Sequence, residues 1–214
     1  MARKITHPLF GELKWDYGWS GEIRLPFFST FDERAFEIVD QRCRERHKRP
    51  LRQRTPREIN EMRHRNNGWF HLHLLSDDSV LFNDSKERPS AEQEQVFRFL
   101  IENETRVGNA VVEGVIEAYP AFCEVCREVE EQYYKKGSPI APIEDLDEIV
   151  PRKITRKKLQ DLIQLVTVYI HRSHLQEFAR VGFSFHCTWD EEHGLGVLTQ
   201  KDNVVEVGQM DIAF

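Results

Sequence analysis

The chain has 214 residues, of which 40% are hydrophobic and 31% are charged, and its formal net charge is −6. A chain of this length buries enough surface to fold without disulfides or a metal. The composition excludes wholesale disorder, and the acidic charge argues against general nucleic-acid binding. No apolar run suits a transmembrane helix or a signal-peptide core, so we expect a cytoplasmic protein that does not bind membranes.

The strongest local charge feature is a basic stretch over residues 42–65, which carries a net charge of +7. As a binding surface it would contact phosphate or an acidic partner. We favour a solvated, helical insertion within the same domain, because no aromatic residues interleave the cations and the rest of the chain is acidic. The first seven of the ten cations in this stretch form what we call the basic patch: Arg42, Arg44, Arg46, Lys48, Arg49, Arg52 and Arg54.

The N-terminal part of the chain predicts a pair of antiparallel strands followed by a helix. Apolar residues alternate up to Trp15 and again from Ile23 to Phe28, on either side of a glycine-containing connection over residues 17–21. Residues 30–33 fit a capping box that would start a helix. Residues 36–39 would equally suit a strand, so that assignment stays open.

Helical signals dominate the middle of the chain. Pro56 fits the first position of a helix, and residues 69–75 then alternate as a strand does. Ser90 and Gln93 form a second capping box before an apolar stripe at helical spacing. A longer periodic run covers residues 107–129, and Pro120 is expected to kink or split it.

The C-terminal part changes to the alternating period of strands. After a short helix capped by Thr155, residues 166–170 and 178–189 are rich in β-branched and aromatic residues. Residues 197–199 and 204–207 flank a four-residue hairpin connection. We therefore predict one α+β domain over residues 1–214, in which the N-terminal hairpin joins a C-terminal meander in a mainly antiparallel sheet with helices packed on one face.

The densest cluster of polar residues follows Trp189 and consists of Asp190, Glu191, Glu192 and His193. Acids and an imidazole together would bind a divalent cation or act as an acid/base pair, and Asp190, Glu192 and His193 are the candidate metal ligands. We favour a tight strand connection in which the acids accept backbone amides and Gly194 takes positive φ. The cluster is also a candidate partner-binding loop.

The remaining reactive residues carry weaker signals. The pair Cys123 and Cys126 would need two more ligands for zinc and a helix N-terminus for redox chemistry, so we predict structural thiols. The pairs His71/His73 and His171/His174 lack an identifiable third ligand. The chain contains none of the common nucleotide-binding or hydrolase motifs, and no cofactor or catalytic residue is indicated.

Three blocks of the sequence resemble a bacterial family of domains of unknown function. The ending V-G-F-S-F-H-C-T-W-D-E-E-H-G-L-G-V-L is the most specific, and weaker similarity covers residues 8–28 and 90–119. Similar endings occur among proteins thought to be immunity proteins that neutralise toxins. The resemblance implies an α+β binding domain without assigned catalytic residues, and the basic stretch over residues 42–65 looks like an insertion in it.

Two functional hypotheses follow. The first is a non-enzymatic, immunity-like module that binds a basic protein partner through its acidic surface. The alternative is a metal-dependent hydrolase that uses Asp190, Glu192 and His193, with a histidine from elsewhere.

The burial of Trp189 helps to decide whether the loop that follows it has a structural or a chemical role. Trp189 belongs to the apolar face of its strand, together with Phe183, Phe185 and Cys187. We therefore predict that Trp189 is buried against the helical layer while residues 190–193 stay at a solvent-facing edge.

Overall fold

The computed structural model describes residues 3–15, 18–31, 35, 37–38, 41, 55–75, 88–135, 146–172 and 178–214. The basic patch at residues 42–54 lies outside the described residues, as do Cys43 and His174. The prediction of a single domain over residues 1–214 includes these segments and stays a prediction.

Eight strands form one sheet in which neighbours in sequence are also neighbours in space. Every pairing is antiparallel except that of β4 with β5, which is parallel. The predicted union of an N-terminal hairpin and a C-terminal meander in a mainly antiparallel sheet is confirmed. The strands are β1 (Lys4–His7), β2 (Gly11–Trp15), β3 (Trp19–Arg24), β4 (Trp69–Leu74), β5 (Ile163–Ile170), β6 (Val181–Cys187), β7 (Leu195–Gln200) and β8 (Asn203–Gly208).

The helices lie mainly between β4 and β5, because a parallel connection needs a crossover. Ser90 caps its helix with the predicted capping box, in which its side chain accepts from Gln93 N and its own N–H bonds the Gln93 side chain. Thr155 caps another by accepting from Lys158 N. The helices are α1 (Pro56–Asn66), α2 (Ala91–Glu102), α3 (Glu104–Lys135), α4 (Leu146–Ile149) and α5 (Arg156–Gln160), with 3-10 helices at Pro26–Thr30 and Met210–Ala213.

Some local features of the structure differ from the predictions or narrow them. The strand β1 was not predicted, and Phe27 and Phe28 lie in the first 3-10 helix instead of continuing a strand. The helix α3 continues through Pro120, so of the two expected outcomes, a kink or a split, the split is wrong. The connection from β7 to β8 has two residues instead of four, with Lys201 at a φ of 58°. Residues 35, 37 and 38 are helical, which favours a helix at the described part of residues 36–39.

The two faces of the sheet are covered differently. Phe183 and Phe185 point toward the first 3-10 helix, with ring centroids 5.7 Å and 6.0 Å from that of Phe28. The helix α3 packs beside that 3-10 helix and against β7 and β8. The C-terminal 3-10 helix covers the opposite face, where a Cβ on Gly182 would collide with the Ala213 carbonyl.

Candidate functional site

Trp189 connects the sheet to the helical layer, as predicted. Its side chain is 5% exposed, and its ring meets that of Tyr119 from α3 edge-to-face at a centroid distance of 5.1 Å. The Tyr119 hydroxyl donates to Pro151 O at 2.7 Å, and burial raises the pKa of this phenol. Trp189 is therefore held between strand β6 and helix α3 and is a structural anchor.

The Asp190 carboxylate organises the loop that follows. Its Oδ1 accepts the backbone N–H of His193 at 2.9 Å and lies 3.1 Å from His193 Nδ1. Its Oδ2 accepts from Gln209 Nε2 at 3.4 Å, and its backbone carbonyl accepts the Gly194 N–H at 3.0 Å. These bonds form the tight connection that we favoured, with Gly194 at a φ of 63°.

The loop also holds the C-terminal 3-10 helix against the sheet. Met210 N donates to His193 O at 3.1 Å. A Cβ on Gly194 would overlap the Met210 side chain, and one on Gly196 would collide with Gln209 O. The close approach of residues 209–210 thus requires both glycines of the Gly-Leu-Gly run, which gives that conspicuous motif a structural explanation.

The polar side chains of this loop divide into two groups. Glu192 and His193 are exposed, as predicted. Asp190 and Glu191 are half-buried, and both carboxylate oxygens of Glu191 are shielded from solvent, so the predicted solvent-facing edge is wrong for Glu191. Within the described residues, no group of three or more His, Cys, Asp or Glu side chains is arranged to hold a metal ion. Asp190 and His193 come together, with Asp190 Oδ1 and His193 Nδ1 3.1 Å apart.

The three described cysteines are buried or half-buried in the packed interior. Cys123 and Cys126 lie inside α3, the first buried and the second half-buried, and both are free thiols. The Cys123 thiol donates to Pro151 O at 3.5 Å. Cys187 is fully buried, and burial raises the pKa of its thiol well above its usual value. The raised pKa of Cys187 disfavours the thiolate that nucleophilic or metal-binding chemistry needs.

Four histidines, His71, His73, His171 and His186, lie on the side of the sheet opposite Phe183. His71 and His73 share that face on β4, where the His73 ring stacks on Tyr169 of β5 at 5.4 Å. His171 Nε2 lies 3.0 Å from Ala213 O. Burial, and then the Arg65 guanidinium, lowers the pKa of His186 to about 4. These imidazoles contribute to packing and hydrogen bonding of the sheet.

The second half of α3 presents a surface that sequence reasoning did not identify. Glu117, Glu124, Glu128 and Glu131 are exposed and form no ion pair with any described residue. Their spacing of seven, four and three residues places them on one stripe of the helix. We call these four residues the acidic stripe. The sequence contains the corresponding signal, which is glutamates at helical spacing. The prediction used only the apolar residues between them, which indicate a packed helix.

Neighbouring cations are engaged elsewhere. Arg127 lies beside the acidic stripe, but its Nη1 pairs with Asp147 at 2.6 Å and donates to Val150 O. Arg156 pairs with Glu113, one turn before the stripe, at 3.4 Å. Among the described residues no cation pairs with the acidic stripe, which spans about 20 Å of helix at 1.5 Å per residue.

Apolar side chains lie next to the acidic stripe. Val125 is 60% exposed and Val129 is 43% exposed. They follow Val107 and Val111 by about five turns, so all four point from the same side of α3. Val107 and Val111 are buried against the body of the protein, with exposures of 1% and 0%. The apolar side of the helix thus continues beyond the core that covers its first half.

Comparison with known proteins extends these observations. No curated protein and no solved structure shows a significant match to the chain. None of the described helices has the length and apolar character that crossing a membrane requires. The family model described as a domain of unknown function, DUF6985, matches residues 58–214. The match includes strands β4 to β8 and helices α1 to α5, apart from the first two residues of α1. The resembling block at residues 8–28 precedes it. Since this match covers well over half of the sequence, the chain belongs to the DUF6985 family.

Proposed function

We propose that this protein is a non-enzymatic binding module, immunity-like in type and acting in a bacterial cytoplasm, that captures a basic protein partner. The acidic stripe on α3 is the observation that carries this proposal. Four carboxylates face solvent without a cation among the described residues. Such a surface accelerates and orients the approach of a positively charged partner.

The energetics of α3 support a binding role for the stripe. Glu124 and Glu128 are four residues apart, and Glu128 and Glu131 are three apart. Like charges at these spacings destabilise a helix by about 0.2–0.5 kcal/mol per pair. Repulsion of this kind is relieved when a cationic surface covers the stripe, so partner binding would stabilise the helix.

The metal-dependent hydrolase has less support. Its central carboxylate, Asp190, accepts bonds from His193 and Gln209 and so maintains the loop. Glu192 and His193 remain candidates for partner contact because both are exposed. The acidic stripe offers a longer surface and more charge than these two residues.

A pull-down at low salt tests the proposal. Wild-type protein and a variant with the four stripe glutamates changed to glutamine are immobilised in parallel. We expect wild type to retain a stoichiometric partner of high isoelectric point that the variant loses and that added salt releases. Recovery of no stoichiometric partner, or equal recovery by both baits, would contradict the proposal.

A second variant controls for net charge. It neutralises the same number of exposed acids away from α3's stripe and should retain the partner. These control substitutions are Glu12→Gln, Glu102→Gln, Glu206→Gln and Asp211→Asn. Loss of the partner in this variant would show that binding depends on total charge instead of on the stripe.

A further inference from the structure

The apolar residues beside the acidic stripe follow the spacing of a helix-packing seam. Ala118, Phe122, Val125, Val129 and Gln132 succeed one another at intervals of four, three, four and three residues. This alternation keeps side chains along one line of a helix, as the a and d positions of a coiled coil do. We call these five residues the distal seam. Ala118 and Phe122 are half-buried, whereas the last three residues are exposed.

The acidic stripe lies along one flank of the distal seam. Each stripe residue directly precedes a seam residue: Glu117, Glu124, Glu128 and Glu131 come before Ala118, Val125, Val129 and Gln132. With Phe122 and Val129 at a positions, Glu128 takes a g position, whose charge helps to choose the partner helix. The other three glutamates take c positions, which border the seam on the same side. The other flank packs inward through Tyr119 and Cys123, which are buried. The seam is therefore open to a second helix on its acidic side.

We infer that the distal seam and the acidic stripe form a docking surface for one α-helix of a basic, amphipathic protein partner. The inference rests on the proposed function and adds the geometry of recognition to it. Charge complementarity selects a helix with Lys or Arg beside its apolar face, and Val125 and Val129 supply the apolar contact. A disordered basic tail would use the charge of the stripe but not the valines.

The affinity expected from this surface is modest. The seam spans about four turns, which is short for a specific interface, so a single helix should bind in the micromolar range. Electrostatic attraction contributes much of the encounter rate, so binding should weaken as salt rises.

Two synthetic peptides test the inference against the full-length protein. Each has about 20 residues, long enough for appreciable helicity. One carries Leu at heptad a and d positions and Lys elsewhere, and the other has the same composition in an order without helical amphipathicity. Fluorescence anisotropy at low salt should show that wild type binds the amphipathic peptide at least tenfold more tightly than the scrambled one.

Substitutions in each part of the surface measure how much the valines and the glutamates contribute to peptide binding. Val125→Ser together with Val129→Ser should lower affinity for the amphipathic peptide to that for the scrambled peptide. Glu124→Gln together with Glu128→Gln should weaken binding of both peptides. The matched control is Val205→Ser on strand β8, an exposed valine at 46% that should leave both affinities unchanged. Urea melts of each variant establish that it is folded.

The outcomes separate the two proposals. Equal binding of both peptides by wild type would overturn helix docking and leave recognition of a basic partner standing. Binding of neither peptide would count against both. A wild-type dimer in sedimentation that the two serine substitutions dissociate would mean that a second copy of the chain occupies the seam, and this also overturns the inference.

Discussion

The loop after Trp189 and the second half of α3 make opposite use of their polar and apolar residues. In the loop, Asp190 bonds the backbone of its own turn, and Gly194 and Gly196 admit the C-terminal 3-10 helix. In α3, glutamates and valines face solvent side by side. The loop is the more conspicuous motif in the sequence but maintains the fold. The helix has the pattern of an ordinary core helix, yet it carries the surface that we propose for partner binding.

This contrast shows what a residue pattern can and cannot convey. A carboxylate beside an imidazole has the same sequence whether it binds a ligand or closes a turn. An apolar stripe likewise has the same spacing whether it packs on its own sheet or on a partner. Which neighbouring elements cover the residues decides whether they serve the fold or remain available for a ligand or partner.

Substitution of Trp189 should have the largest effect on stability and so tests the contrast between the loop and the second half of α3 most strongly. Trp189→Ala removes a ring that is 5% exposed and packed on Tyr119, so it should reduce the free energy of unfolding by about 3–5 kcal/mol. Val125→Ala on the exposed seam should change it by no more than about 0.5 kcal/mol. Urea melts of both variants measure this difference. A loss at Val125→Ala as large as that expected at Trp189→Ala would mean that Val125 is also part of the core, and no loss at Trp189→Ala would contradict its role as an anchor.

A pH-dependent loss of stability should come from His186 on strand β6. Its pKa is lowered to about 4 in the folded chain, first by burial and then by Arg65, against 6.5 when unfolded. Below pH 6.5 the unfolded chain binds a proton that the folded chain does not, so stability falls as pH drops toward 4 and then levels off. The contribution is about 3 kcal/mol at most.

Urea melts of wild type and His186→Gln between pH 4 and 7 isolate this contribution. The glutamine variant should lose less stability across that window than wild type does. The exposed His71, changed to glutamine, is the matched control and should retain the wild-type slope. Identical slopes for wild type and His186→Gln would refute the assignment.

Asp190 should have an intermediate effect on stability. Asp190→Ala leaves the His193 and Gln209 donors without their acceptor, which should cost about 1–2 kcal/mol. Glu192→Gln in the same loop should stay within about 0.5 kcal/mol, because Glu192 is exposed. The measurement is a pair of urea melts, and neither variant should alter binding of the basic peptides. A loss of peptide binding in Glu192→Gln would transfer the partner site from α3 to this loop.

Local signals predicted much of the fold correctly because they act over few residues. The Ser90–Gln93 capping box and the Thr155 cap are set by side chains three positions apart, and both occur as predicted. Strand β1 was missed because Ile5 is its only strongly apolar residue. Phe27 and Phe28 were assigned to a strand because a 3-10 turn can carry the same apolar residues.

The candidate site was less predictable because burial of α3 depends on distant elements. Residues 107–129 formed one apolar run in the sequence, yet Val111 is buried and Val129 is 43% exposed. Nothing within the helix distinguishes the two positions. The difference arises because the core covers the first half of the helix and leaves the corresponding side of the second half in solvent.

The smallest expected effect gives the sharpest distinction between the two regions. Glu124→Gln together with Glu128→Gln removes a like-charge pair spaced about one turn apart. The free energy of unfolding should therefore rise by about 0.2–0.5 kcal/mol at low salt. The same variant should bind basic peptides more weakly, so stability and binding change in opposite directions. The matched control, Glu102→Gln with Glu206→Gln, removes the same charge from α2 and β8 and should leave peptide binding unchanged. Thermal melts at low and high salt check the sign, because screening should remove the gain. A loss of more than about 1 kcal/mol on neutralising Glu124 and Glu128 would place these carboxylates in structural contacts like those of Asp190, and the contrast between the two regions would no longer hold.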